Sequence, residues 1–242
     1  MRVSSVQSNR RCPLFIWRFD LENVGTASLK SKIGYVIVTL LPMAIYMVIY
    51  MPLFFWIERL EPAGGFNIIH TPLDDMIPVV EAFIVPYILW LPYLLISMVA
   101  IGIKSRDASR KTSYMLMTGM TLFIIISLVY PNTLELRAQI PERENIFMSL
   151  VDHLHDIDTP TNVLPSLHVF DALCVAAGIH MAFGKRKLLL VLSDILVTLI
   201  ILSTLFIKQH SVIDVLSAMV MFIVLFAVIC FVIKPGSSTR RK

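Results

Sequence analysis

Charge is scarce in this chain: Asp, Glu, Lys and Arg make up only 16% of its 242 residues. Hydrophobic residues make up 57%, against about 45 to 50% in soluble domains. With a mean hydropathy of +0.77, a soluble globular domain is excluded and the chain reads as an integral membrane protein. Cysteine is scarce too. Cys12 stands near the start, and Cys174 and Cys230 lie in apolar segments where they behave as small hydrophobes. No disulfide framework or zinc spacing is present. Nor is there a concentrated basic surface. The net charge of +4 comes from short basic clusters between apolar runs, a loop bias that argues against a nucleic-acid partner.

Long hydrophobic runs are what the chain has. Six segments, near 33–56, 77–103, 112–130, 165–183, 187–207 and 211–233, approach or exceed the roughly 20 residues that cross a bilayer. The first is too long and too far along to be a cleaved signal peptide and is expected to stay as a signal anchor. Pro78, Pro86 and Pro92 predict a kinked second helix. With no internal repeat, the expected fold is all-α: a polytopic membrane protein built as one six-transmembrane-helix bundle. Residues 1–32 form an N-terminal arm, 33–233 the membrane domain and 234–242 a basic tail. Within the arm, Pro13 to Phe19 is expected to lie on the membrane surface as an interfacial segment.

Loop charges set the orientation. Arg2, Arg10, Arg11, Arg18, Lys30 and Lys32 precede the first span; Lys104, Arg106, Arg110 and Lys111 follow the second; Lys185, Arg186 and Lys187 follow the fourth. Lys234, Arg240, Arg241 and Lys242 close the chain. The first loop (Glu58, Glu61, Asp74, Asp75, with Arg59) and the third are acidic. The positive-inside rule then puts both termini in the cytoplasm. Arg137, His168 and His210 consequently share the extracytoplasmic face.

In His210-x3-Asp214 the i, i+4 spacing lets a carboxylate hold one imidazole nitrogen and leave the other as a nucleophile. Taken alone, the pair is better read as a helix N-terminal acid beside a solvated histidine. Pro165-Ser166 marks a helix start, with unpaired N–H groups that suit an anion, and His168 stands where a general acid would. A simple Ser166 cap beside an interfacial histidine fits that motif equally well. Arg137 offers a planar fork to a phosphate, or a solvated ion pair with Glu135, Glu142 or Glu144. Lys208 either reaches the same oxyanion or snorkels to the interface.

The order of an arginine loop, Pro165-Ser166-Leu167-His168, then Ser203-x6-His210-x3-Asp214 resembles the type-2 phosphatidic acid phosphatase superfamily, which includes the vanadium haloperoxidases. The resemblance covers about residues 112–233. It implies that His210 attacks phosphorus, Asp214 orients it, His168 protonates the leaving oxygen, and Arg137 and Ser166 bind phosphate, with Lys208 as a further cation. Neither metal nor cofactor is implied. The chain departs from the family pattern at Tyr130, Ala138, Leu167 and Thr204, where lysine, proline, glycine and arginine are usual. The Pro-Ser-Leu-His form is similar to the inositol phosphorylceramide synthase branch.

The expected function is therefore hydrolysis of a lipid phosphomonoester or diphosphate at the extracytoplasmic face of the cell membrane, through a phosphohistidine. Head-group transfer to a lipid acceptor is the first alternative, and a non-catalytic lipid-binding or transport protein the second. The partners expected are the lipid substrate and surrounding membrane lipids. Asp171, three residues after His168, either tunes that histidine or bonds a neighbouring helix. His180 is read as incidental, Asp194 has no reading, and His153 and His155 are expected in a solvated acidic loop rather than at a metal.

Overall fold

A computed structural model describes residues 29–232. The interfacial segment at 13–19, the rest of the arm before residue 29 and the tail at 234–242 lie outside the described residues.

The chain is mostly helical. Helix α1 runs Leu29–Glu58 and leads into a loop with a short strand β1, Asn67–Ile68, and a one-turn helix α2, Pro72–Met76. The proline-rich second segment is interrupted only at Leu89, whose backbone stays helical, so Glu81–Lys104 runs on as one candidate span. A 3₁₀ turn at Glu81–Phe83 is followed by α3, Ile84–Ile88, and α4, Trp90–Lys104. Pro86 and Pro92 each stand in the first turn of their helix, where no N–H is required.

Helix α5, Arg106–Val129, begins six residues earlier than the apolar run suggests, because Ser105 caps it by accepting from Ala108 N at 3.2 Å. The basic cluster therefore lies on the helix itself, with Lys111 and Arg110 paired to Asp107 at 2.8 and 3.1 Å. The third loop is more ordered than its composition suggests. Strand β2, Asn132–Thr133, pairs in parallel with β1; a 3₁₀ turn spans Leu136–Gln139; and α6, Ile146–Ile157, starts at an Asn145 cap. His153 and His155 are on α6, so the solvated-loop expectation is corrected: His153 is exposed but His155 is half-buried. Amphipathic spacing in Ile146, Met148, Val151 and Leu154 was the available signal.

Three apolar helices finish the chain: α7, Leu167–Phe183; α8, Lys187–Phe206; and α9, Val212–Val232. Among the described residues five helices are long and apolar enough to cross a membrane, within Thr39–Glu58, Glu81–Lys104, Arg106–Val129, Lys187–Phe206 and Val212–Val232. Helix α7, at 17 residues, is shorter. It is also the centre of the bundle, packed against α4, α5, α8 and α9, while α1 lies on α4 and α5. Gly119 of α5 makes the close approach possible, since a Cβ there would collide with the fully buried Phe170 ring.

Candidate active site

The ends of α1 and α5, the start of α4, the start of α7 and the α8–α9 junction meet at one end of the bundle. Asn132, fully buried in β2, helps hold them there. Its Oδ1 accepts from Leu164 N at 3.0 Å and its carbonyl from Asn162 N at 2.6 Å, which ties the segment before α7 to the strand. Ser166 then caps α7, its Oγ accepting from Val169 N, while its own N–H donates to the Asp214 carbonyl at 3.2 Å.

His168 and His210 face one another, His168 Nδ1 to His210 Nε2 at 3.3 Å. On the far side of His210, Nδ1 lies 3.4 Å from Asp214 Oδ2, close enough for an ion pair but outside hydrogen-bond geometry. Asp214 is fully buried and accepts from Ser211 N at 2.8 Å. On the far side of His168, Nε2 meets Tyr87 Oη at 2.9 Å, and the Trp90 ring packs 4.4 Å from the imidazole. Side chains of α3, α7, the α8–α9 junction and α9 thus form one line: Asp214, His210, His168, Tyr87.

The line continues through Gln209, whose Nε2 donates to Tyr87 Oη at 3.2 Å and to Asp158 Oδ2 at 2.5 Å. Arg137 approaches from behind. Its guanidinium donates to Gln209 Oε1 at 2.7 Å, to the Asp158 carbonyl at 2.7 Å and to the His155 carbonyl at 3.1 Å. Burial raises the Asp158 carboxyl above its ordinary range, opposed by the charges of His210 and Arg137. Burial, then the Arg137 charge, lowers His155 to about 4, so this imidazole is neutral at physiological pH.

Lys208 is held elsewhere. Its backbone is left-handed (φ 57°), the residue is 2% exposed, and its ammonium donates to the Asp74 carbonyl at 2.6 Å and the Ile77 carbonyl at 2.8 Å. Burial lowers its pKa, with Asp74 and Asp75 opposing. In this geometry it buckles the α8–α9 junction to the first loop. Asp74 completes the buckle, accepting from Ser211 Oγ at 2.6 Å, Val212 N at 2.8 Å and Thr71 N at 2.7 Å. Burial alone would raise this carboxyl, but those hydrogen bonds carry it below the usual range.

The residues assigned from sequence are therefore arranged unequally. His168, His210 and Asp214 stand together; Arg137 is one side chain away, across Gln209; Ser166 caps α7; and Lys208 faces carbonyls of the first loop. Tyr87, Trp90, Gln209, Asp158 and Asp74 were not singled out from sequence. For Asp74 a signal existed, the Thr71-Pro-Leu-Asp74 spacing of a helix start. For Tyr87 there was none, because its place depends on a contact with His168, 81 residues along the chain. Asp171 is buried one turn below His168 with Oδ1 unpartnered. His180 and Asp194 pair with each other at 2.8 Å near the opposite end. No protein-family model, curated protein or solved structure matches this chain.

Proposed function

We propose that the protein is a membrane phosphohydrolase acting on lipid phosphomonoesters or diphosphates through a phosphohistidine. The observation that carries this reading is the aligned Asp214, His210 and His168 line, with one imidazole backed by a carboxylate and the other facing its free nitrogen. A carboxylate on His210 Nδ1 keeps the proton there and presents Nε2 as a nucleophile. In this scheme the two rings part to admit a phosphoryl group. Nε2 attacks phosphorus, a P–N bond forms as the P–O bond to the lipid breaks, and His168 delivers a proton to the departing oxygen. His168 then takes a proton from water as it attacks the phosphohistidine, which releases phosphate and restores both rings.

Arg137 reaches the phosphate by exchanging Gln209 Oε1 for a phosphate oxygen, and the first N–H groups of α7, beside Ser166, have no intrahelical acceptor and add to the cradle. Lys208 is a positioning residue in this reading, holding the His210 turn on the first loop. The short α7 acts as a sixth span, sheltered by its neighbours. Both termini are then cytoplasmic, and the histidines face the extracytoplasmic side of the cell membrane.

The test is phosphate release by the purified full-length chain in detergent over a panel of lipid phosphates, with acid-quenched trapping of labelled phosphoenzyme. His210→Ala is expected to lose release by at least about a thousandfold and to lose the labelled intermediate. Full activity in that variant overturns the mechanism.

A further inference from the structure

Beside the histidine pair lies a cavity of about 60 Å³, lined among others by Glu58, Asp158, Asn162, Phe54, Phe123 and His210. Its polar lining is unusual for a site that handles phosphate: Glu58 ends α1, Asp158 follows α6, and no lysine or arginine lines the space. Both carboxylates are held in place. Thr159 Oγ1 donates to Glu58 Oε2, and Gln209 Nε2 to Asp158 Oδ2. Asn162 supplies the independent observation. It is 5% exposed, its backbone is left-handed at φ 52°, its amide bears on Glu58, and its Oδ1 has no hydrogen-bond partner. A buried carbonyl oxygen without a donor is costly unless a ligand or water completes it.

Three oxygen-bearing side chains, two of them carboxylates, line the space beside Phe54 and Phe123, which stack on each other. An ammonium group matches that set. It brings three donors and no acceptor, and it offsets the carboxylate charge. A neutral hydroxyl satisfies one acceptor and leaves the charge unbalanced. The volume holds a few heavy atoms, which suits an aminomethyl or aminoethyl group and not a sugar ring.

We propose that this cavity is an ammonium subsite, so that the phosphorylated lipid turned over at His210 carries a primary amine close to its phosphoester. The choice of substrate class rests on the phosphohydrolase reading, but the subsite itself does not, and the two fail separately.

Binding is measured on the full-length chain with His210→Gln, which blocks turnover, using three matched lipids: a long-chain 2-aminoalkyl phosphate, its 2-hydroxyalkyl counterpart and the unsubstituted alkyl phosphate. The amine is expected to bind about tenfold or more tightly than the other two. Glu58→Gln and Asn162→Leu, each added to that background, are expected to erase the preference without weakening the unsubstituted lipid. A further arm supplies ethanolamine together with the alkyl phosphate. Tighter binding there supports the subsite and assigns the amine to a separate molecule. Equal binding of all three lipids, or preference for the hydroxyl, overturns the proposal. Amine-selective binding with no phosphate release from any lipid by the wild-type chain upholds the subsite and sinks the phosphohydrolase reading instead.

Discussion

The proposed chemistry makes two demands on His210, an acidic partner on one nitrogen and an open face on the other, and the residues that would meet them differ in kind. Asp214 is fully buried with Oδ1 unpaired, a cost that a purely structural carboxylate would avoid by better hydrogen bonding. Asp214→Asn keeps shape and burial while removing the charge, so kcat is expected to fall by about two orders of magnitude or more with little change in Tm. Tyr87 is a positioning residue, since its hydroxyl holds His168 Nε2 and accepts from Gln209. Tyr87→Phe is expected to lower kcat about tenfold and to shift the acidic limb of the pH profile, with KM preserved; an unchanged profile would show that His168 is held by packing alone. His210 and Asp214 were legible in the sequence because their spacing is local, and His168 because Pro165-Ser166 marks a helix start beside it. Tyr87, Gln209 and Asp158 were not, because each acquires its role from a chain contact more than forty residues away.

Among the elements, the junctions matter more than the spans. The α8–α9 turn is bound to the first loop by Lys208 and Asp74, and Lys208 reads as reaching phosphate or the interface because nothing local in the sequence ties it to that acidic loop. Lys208→Met removes a buried ammonium from two carbonyls, so a loss of about 2 kcal/mol in stability is expected alongside any loss of activity, read as a lower Tm. Helix α6 carries a pH dependence of its own. His155 has a folded pKa of about 4, below its ordinary value of 6.5, so the fold favours the neutral ring. Its contribution to stability is fully present above pH 6.5 and declines as pH falls toward 4. Wild-type Tm is therefore expected to drop more than that of His155→Gln between pH 7 and pH 4.5. Parallel curves would place the histidine outside the folded core. The α6 helix itself was concealed by the acidic composition of its loop, although its apolar spacing was present.

At the scale of the whole molecule, the number of crossings turns on α7. Five helices satisfy length and apolarity without help, whereas α7 is 17 residues and would extend about 25 Å, short of a hydrocarbon core of about 30 Å. A helix exposed to lipid at that length would be mismatched, but α7 is packed against α4, α5, α8 and α9. If α7 crosses, Asp152 on α6 and Lys185 in the turn before α8, both exposed, lie on opposite sides of the membrane. Single cysteines at these two positions, in a chain with Cys12, Cys174 and Cys230 replaced by serine, give a direct reading. In intact cells an impermeant maleimide is expected to label Asp152→Cys, and to label Lys185→Cys only after permeabilisation. Labelling of both from outside would leave α7 as a re-entrant element. The basic clusters would then no longer fall on one side, and the orientation drawn from loop charge would fail with the six-span count.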